Sequence, residues 1–598
     1  MNADNSQTPA PRARGRLAPE HWLGLLAAAF WLFLAFEGAR RLSSTADEPP
    51  HLAAGIAVLS YRDYRMNPEH PMLFKVLATL PMWLTQEVVP ELEREGLVLA
   101  YWADGDQWRF GHYALYRVAK DPQFALLMAR IVPILTGLLG GWIAWLWGSE
   151  FGGRRAGLLS MIFLLYYPEY LGHARYVTLD VPTLVSAAGL SWCAWKLWCR
   201  PSMQRGIGWA ALAGVLALVK LPVAIFAALQ WLTAVFVRFM AARQGRVARG
   251  VHQIRPLGLA GLLVALVVAG IAAQWCMAGF RFELTNPDVP GLSKRNNYAN
   301  PPGEAVGVVA RVAEYAGIHR LLPEATIAIL NHTTAFEGRV QFLLGDFTRE
   351  GWVYYFFVTI LLKTPVVMLL GLRIGGGYAW SQARRHPHAM ARVTMLILPF
   401  FLLFVLTCLS RVSIGHRHIL FIYFPWVVLM GAAAAHWLIS DSRWRQRAAT
   451  ATGLWLVFLC AWKQPNQATY FNLIGGGDPL TASAYVLDSN VDWGEGLPQM
   501  AEALKENGWD RCNLAAFAIG NPKAWGFGDF NFILPSYPFA VFMPQATEPD
   551  PNLPTVVSLN CMQPVHTLYP KLYDREPYHV GNSFVIYAPL RSSSPRVD

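Results

Sequence analysis

Long apolar runs alternate with short polar breaks along most of the chain. A helix that crosses a bilayer needs about 20 mostly apolar residues. Runs of that kind occur at His21–Ala39, Phe124–Trp147, Ala156–Leu171, Val181–Trp198, Ile207–Pro222, Val223–Met240, Leu257–Met277, Trp352–Leu372, Val393–Leu409, Ile419–Ile439 and Ala448–Trp462. They predict about eleven transmembrane helices. Only Lys220-Leu221-Pro222 separates the fifth from the sixth. Pro71–Trp83 is apolar too, but at about thirteen residues it suits an amphipathic helix lying on the surface.

The polar breaks carry a second pattern. With Pro71–Trp83 left out of the count, the clusters Arg12/Arg14/Arg16, Arg154/Arg155, Arg200/Arg205, Arg238/Arg243/Arg246/Arg249/Arg255, Arg384/Arg385 and Arg443/Arg445/Arg447 all fall on one side. The positive-inside rule makes that side the cytoplasm. The expectation is a multi-pass protein of the cytoplasmic (inner) membrane, with a cytoplasmic N-terminus and an external, periplasmic or extracytoplasmic, C-terminal region. The first span follows a basic tail without a small-residue cleavage site, so it is expected to stay as an anchor.

Three regions follow: a disordered cytoplasmic tail over 1–19, a transmembrane region over 20–463 with outer loops at 40–123 and 278–351, and a soluble tail over 464–598. In that tail Ala484–Leu487 and Leu514–Ile519 read as strands, Leu497–Asn507 as a helix and Phe584–Ala588 as a closing strand. They predict a small α/β domain outside the membrane.

Composition agrees. Hydrophobic residues make up 54% and charged residues 15%, against roughly 25% charge in soluble domains. The net charge of +11 lies in short clusters between apolar runs, which argues against a nucleic-acid partner. The seven Cys show no zinc spacing. Cys193, Cys199, Cys276, Cys408 and Cys460 fall in or beside apolar runs. Cys512 and Cys561 are alone in the outer tail, where an oxidising compartment permits a disulfide and two buried thiols would look the same.

Candidate chemistry gathers at the outer loops. Thr45-Ala-Asp47-Glu48-Pro-Pro-His51 has the spacing of a capping box, and it also puts two carboxylates and an imidazole just beyond the first span. Arg65-Met-Asn67-Pro-Glu69-His70-Pro leads into the surface helix and Lys75, which suits gripping an anionic headgroup or forming a solvated turn. Asp180, in Leu179-Asp-Val-Pro182, is either an N-cap or a second acid on the same face, with His173 and Arg175 near it. Cations on that face are Lys220, Lys363, Arg411, His416, Arg417 and His418. Lys363 lies inside a span, where a charge is expensive and marks function or a buried pair. Asp488-Ser-Asn490-Val-Asp492-Trp-Gly494 has acids spaced like the start of a calcium loop, but Gly falls at the seventh place and Gln499 stands where the bidentate Glu belongs.

Asp47-Glu48-Pro-Pro-His51, Asn67-Pro-Glu69-His70-Pro71, Leu179-Asp180-Val-Pro182, Lys363-Thr-Pro365 and Ile414-Gly-His-Arg-His418 together resemble GT-C-fold glycosyltransferases. The likeness is to prokaryotic relatives of dolichyl-phosphate-mannose–protein mannosyltransferases, the family 39 or phospholipid-carrier-dependent enzymes. Tyr470-Phe-Asn472-Leu-Ile-Gly-Gly and Leu487–Gly494 resemble the outer domain of one bacterial branch. The ordered set runs along nearly the whole chain, with little of it in Ala278–Gly351 and Asn531–His579.

The resemblance implies a GT-C membrane protein that transfers a sugar, mannose-like or another hexose, from a polyprenyl-phosphate donor to a protein, glycan or lipid acceptor outside. It makes Asp47 the general base, Glu48 its neighbour and Asp180 a positioning acid. His51, Glu69, His70, Lys75, Lys363, Arg411, His416, Arg417 and His418 would serve the donor phosphate or substrate. No cofactor is expected; a divalent metal is neither required nor excluded. A lipid A-modifying aminoarabinose-type transferase is the alternative within this chemistry. A lipid or polysaccharide transporter is the alternative outside it, disfavoured because the charges lie at one face rather than near the midplane.

Overall fold

A computed structural model describes residues 18–85, 96–243, 256–285, 308–332, 340–385, 387–517, 520–534, 547–573 and 576–589. The basic residues Arg12, Arg14, Arg16, Arg246, Arg249 and Arg255, the tail over 1–17 and much of the second outer loop lie outside these residues.

Every one of the eleven apolar runs is helical. Six described helices are long and apolar enough to cross a membrane, or seven if one bent pair is a single span. This count is lower than eleven for physical reasons. Pro122–Leu165 holds two of the runs and breaks at Gly152 and Gly153, where Gly153 takes φ 69 and ψ −163, a conformation open to glycine. The chain then doubles back on itself: a Cβ on Gly148 would meet Ser160, and one on Gly157 would meet Ser149 and the Trp145 carbonyl. Met203–Ala217 is short. Arg443–Trp462 opens with three arginines in its first five residues.

The bent pair is Tyr355–Lys363 and Val366–Ala383, at 112°. Pro365 supplies no N–H and pushes the residue before it out of the helical region. Thr364 is accordingly extended, at φ −88 and ψ 128. The run Trp352–Leu372, expected to be one span, is thus two helices with Lys363 at the elbow. Leu73–Leu84 is the short apolar helix expected at the surface.

Charge separates the two ends of the bundle. At one end Arg155 lies 3.5 Å from Glu20, and Lys196 and Arg392 both bond to Glu150. At the other end meet the segment after Arg41, the Val177–Asp180 turn, Lys220 and the 3₁₀ turn His416–Ile422.

The C-terminal region folds as an α/β unit. Its sheet comprises β3 (Arg511–Ala515), β4 (Asp529–Phe532), β5 (Thr555–Ser558), β6 (His579–Val580) and β7 (Phe584–Tyr587), ordered β4-β3-β5-β7-β6. β3 runs parallel to β4 and β5, while β7 is antiparallel to β5 and β6. Leu497–Glu506 is helical as expected. Two expectations change. Ala484–Leu487 is no strand of this sheet: Val486 forms one bridge with Leu343, next to the small hairpin of β1 (Gln341–Leu343) and β2 (Asp346–Thr348). The expected strand Leu514–Ile519 lies earlier, and Ala518 and Ile519 are outside the described residues. The expected closing strand is present as β7, the last strand in sequence, with β6 paired on its far side. Cys512 and Cys561 are both buried free thiols, not a disulfide; burial pushes Cys512 up to about 12.

Candidate functional site

The site begins where the first helix ends. Arg130, fully buried in Pro122–Leu165, sends Nη1 to the carbonyls of Ala39 (2.7 Å) and Leu42 (2.9 Å) and Nη2 to that of Ser43 (2.7 Å). Its fork also grips Glu48, with Nε 2.9 Å from Oε1 and Nη2 2.7 Å from Oε2. Glu48 accepts two more bonds, from the backbone N–H groups of Val177 (2.9 Å) and Thr45 (2.8 Å). The Thr45 contact is half of a capping box; Thr45 Oγ1 takes no part in a bond. With four donors and no exposure, Glu48 anchors the loop and is not placed to take a substrate proton.

Asp47 behaves differently. It precedes the helix Glu48–Tyr61, but its side chain makes no capping bond. Oδ2 instead accepts from Arg417 Nη1 at 3.0 Å, and Oδ1 takes no hydrogen bond from the described residues. The side chain keeps 28% exposure, against 8% for Arg417 and 1% for Asp180. Asp180 Oδ2 shares the same Nη1 at 3.1 Å, and its Oδ1 lies 2.8 Å from Lys220 Nζ. Two acids and two cations from four distant stretches therefore form one chain, open to solvent at Asp47.

Arg417 is held from outside the bundle. Its Nε donates to Ser489 Oγ at 3.1 Å, and its Cζ lies 3.8 Å from the centre of the Trp493 ring. His418 is within electrostatic reach of Asp180. His416 is engaged at both ring nitrogens, Nε2 with Tyr167 Oη and Nδ1 with Thr359 Oγ1, each at 2.9 Å. Arg411 lies exposed at the start of this loop with φ 55, and nothing brings it to the acids.

Lys363 lies away from the open end. It is fully buried, with Nζ 2.9 Å from Glu169 Oε1 and donating to the carbonyls of Ala468 (3.0 Å) and Asn490 (2.8 Å). Glu169 also faces His173 Nε2 at 3.4 Å. Arg175 is buried and donates Nη2 to the Pro465 carbonyl.

The surface-helix segment adds a satellite group. Lys75 Nζ donates to the carbonyls of Asn67 (2.6 Å) and His70 (2.8 Å). Burial pushes this ammonium down to about 7, with Glu69 acting in the other direction. Glu69 is half-buried and accepts from Gln107 Nε2 at 2.9 Å. His51 bonds the Val177 carbonyl through Nδ1 at 2.7 Å, so Nδ1 carries the proton and Nε2 is left as an acceptor. Burial first, then the Lys75 charge, pushes this imidazole down to about 4. Its ring faces that of His70 at 6.5 Å. His51 is therefore neutral at pH 7, within electrostatic reach of both Lys75 and Asp47.

Sequence reasoning missed Arg130 and Glu169, although both are charges inside apolar runs and the rule that singled out Lys363 applies to them equally. It also missed Ser489 and Trp493 as partners of Arg417. No local signal marks those, because the pairing is tertiary. The calcium-like spacing has another use: Asp492 accepts from Ser558 Oγ and from the Gly494 N–H. Among the described residues no group of three or more His, Cys, Asp or Glu side chains is placed to hold a metal.

No protein-family model matches the chain, and no curated protein matches it. Solved structures similar to it include ArnT from Cupriavidus metallidurans bound to undecaprenyl phosphate, at 15% identity and TM-score 0.43, covering 96% of this chain and 100% of that one. The oligosaccharyltransferase AglB from Archaeoglobus fulgidus, in complex with an inhibitory peptide and a dolichol-phosphate, is similar at 11% identity and TM-score 0.42 over 97% of this chain and 75% of that one. The apo oligosaccharyltransferase of Archaeoglobus fulgidus is similar at 11% identity and TM-score 0.41, over 86% and 64%.

Proposed function

We propose that this chain is a GT-C-type membrane glycosyltransferase that moves a sugar from a polyprenyl-phosphate carrier to a hydroxyl-bearing acceptor at the outer face of the cytoplasmic membrane. The observation that carries this reading is the open end of the charge chain: a part-exposed Asp47 ion-paired to Arg417, backed by buried Asp180 and Lys220. The ordered motifs of the sequence support the same reading.

In this scheme Asp47 takes the proton of the acceptor hydroxyl. The acceptor oxygen bonds to the anomeric carbon as the carbon–oxygen bond to the carrier phosphate breaks. The phosphate leaves with the electron pair, and its charge is met by Arg417, to which Lys220 is joined through Asp180. One displacement inverts the anomeric centre. Glu48 and Asp180 hold geometry rather than protons. Lys363 and His416 support the fold beneath the site, and His51 supplies an acceptor nitrogen rather than a cation. A mannose-type hexose is the first donor to try, and a protein, glycan or lipid A-like acceptor completes the pair. The basic end of the bundle faces the cytoplasm and the α/β domain lies outside.

The test is sugar transfer by the purified, lipid-reconstituted protein from polyprenyl-phosphate hexoses, with Asp47→Asn beside the parent. The expected loss is about 10²–10⁴-fold in turnover with donor binding retained. Turnover of the Asn variant within a few-fold of the parent would refute the assignment.

A further inference from the structure

The loop from Asp488 to Glu495 belongs by sequence to the outer domain, yet its contacts reach into the bundle. Ser489 Oγ accepts from Arg417 Nε at 3.1 Å and donates to the Ile414 carbonyl at 3.0 Å. The Trp493 ring lies under the guanidinium, 3.8 Å from Cζ to ring centre. The backbone of the same loop binds the segment leading to Asp47: the Trp493 carbonyl accepts from Ala46 N at 2.8 Å, and the Glu495 carbonyl from Ser43 N at 3.1 Å. Both members of the Asp47–Arg417 pair are thus docked on one short loop, although 370 residues separate them.

A guanidinium beside two carboxylates has several ways to pair. Its fork, its edges and its two faces are all competent. Here Nε is committed to Ser489 and one face is covered by indole, which leaves the Nη1 edge to the acids. We propose that Trp493 is a positioning residue for transfer: its ring holds Arg417 in the plane from which Nη1 meets Asp47 and Asp180 together. The inference rests on the glycosyltransferase reading and adds a role for the outer domain, which becomes part of the active site rather than an appendage. An aromatic face is required because it attracts the cation as well as excluding water, and indole does so best. A branched aliphatic side chain would exclude water only.

Three variants in the full-length, reconstituted protein test this: Trp493→Phe, Trp493→Leu and Asp47→Asn. Trp493→Leu is expected to lower turnover about tenfold or more, from loss of a desolvated cation–π contact. The loss should fall on turnover at saturating substrates, with KM for the donor within a few-fold of the parent, because a misplaced Arg417 still meets the phosphate but no longer holds Asp47 in place. Trp493→Phe should restore most of the turnover. A merely structural tryptophan would lower Tm and the yield of folded protein while the folded fraction kept the parent's turnover. The proposal is overturned if the folded fraction of Trp493→Leu turns over like the parent, or if Phe is no better than Leu, while Asp47→Asn is inactive. An active Asp47→Asn protein instead overturns the glycosyltransferase assignment of the base, and this proposal with it.

Discussion

Arg417 Nη1 and Asp47 Oδ2 stand 3.0 Å apart, joining a turn near the end of the membrane region to the loop after its first helix. The contact exists because the same Nη1 also serves Asp180, the Nε serves Ser489, and the face serves Trp493. Lysine offers a single point charge and cannot reproduce that set. Arg417→Lys is therefore expected to insert and fold yet to lose turnover by about 10²-fold, the scale of one lost charge-stabilising donor. Single-turnover transfer at saturating donor, read beside the melting curve, checks it. Parent-like turnover would remove Arg417 from the site.

The Arg130–Glu48 fork is a stability element. Both side chains are fully buried, and Arg130 also ties three carbonyls of the turn that delivers Asp47. Removing one member of such a pair leaves the other charged without a partner, at a cost of about 3–5 kcal/mol. Arg130→Met should lower Tm by many degrees and reduce the amount of folded protein in the membrane. A melting temperature equal to the parent's would show that the fork is not what holds the turn.

Much of the bundle was legible because spanning helices need length and apolarity, which sequence states directly. The reversal at Gly152-Gly153 falls between two of the runs that were read, whereas the bend at Thr364-Pro365 was missed although Pro365 is a local signal for it. Of the site, Asp47, Asp180 and Arg417 were readable as charges at helix ends. The residues themselves did not say which acid is part-exposed and which is buried in a pair, because exposure and partners are tertiary. Glu48 and Asp47 are neighbours in sequence, yet one meets Arg130 and the other Arg417. Lys363 shows the same gap: its place within an apolar run was readable, but Glu169 as its partner was not.

That partner sets a prediction for Lys363. Its Nζ ends on Glu169 and two carbonyls rather than at the open end of the site. Lys363→Met should leave affinity for the polyprenyl-phosphate donor within a few-fold of the parent. It should destabilise the fold by about 3–5 kcal/mol, since Glu169 would keep only His173. Donor titration of the surviving folded fraction separates the effects. A large loss of donor affinity at unchanged Tm would return Lys363 to the phosphate site.

Asp492 gives the outer domain a pH dependence whose sign can be worked out. The carboxyl is fully buried, bonded to Ser558 and the Gly494 N–H, with Glu495 close by and the Cys561 thiol on the same side. Burial, then the Glu495 charge, pushes it up to about 8. Glu495 is raised as well, with burial the main cause and His173 and Arg175 opposing. In the unfolded chain Asp492 would titrate near 4, so between about pH 4 and pH 8 the folded state holds a proton that the unfolded state has released. Stability must then fall as pH rises through that window and level off above it. Asp492→Asn keeps an acceptor for the Gly494 N–H, offers Ser558 Oγ an N–H donor in place of the carboxyl oxygen, and cannot ionise. The difference in Tm between the Asn variant and the parent should therefore widen in favour of the variant from about pH 4 to pH 8 and stay constant beyond. Comparing the pair at each pH cancels opposing groups such as Lys75, whose lowered value makes stability rise with pH between about 7 and 10. A Tm difference independent of pH across that range would mean that Asp492 is ionised in the folded protein.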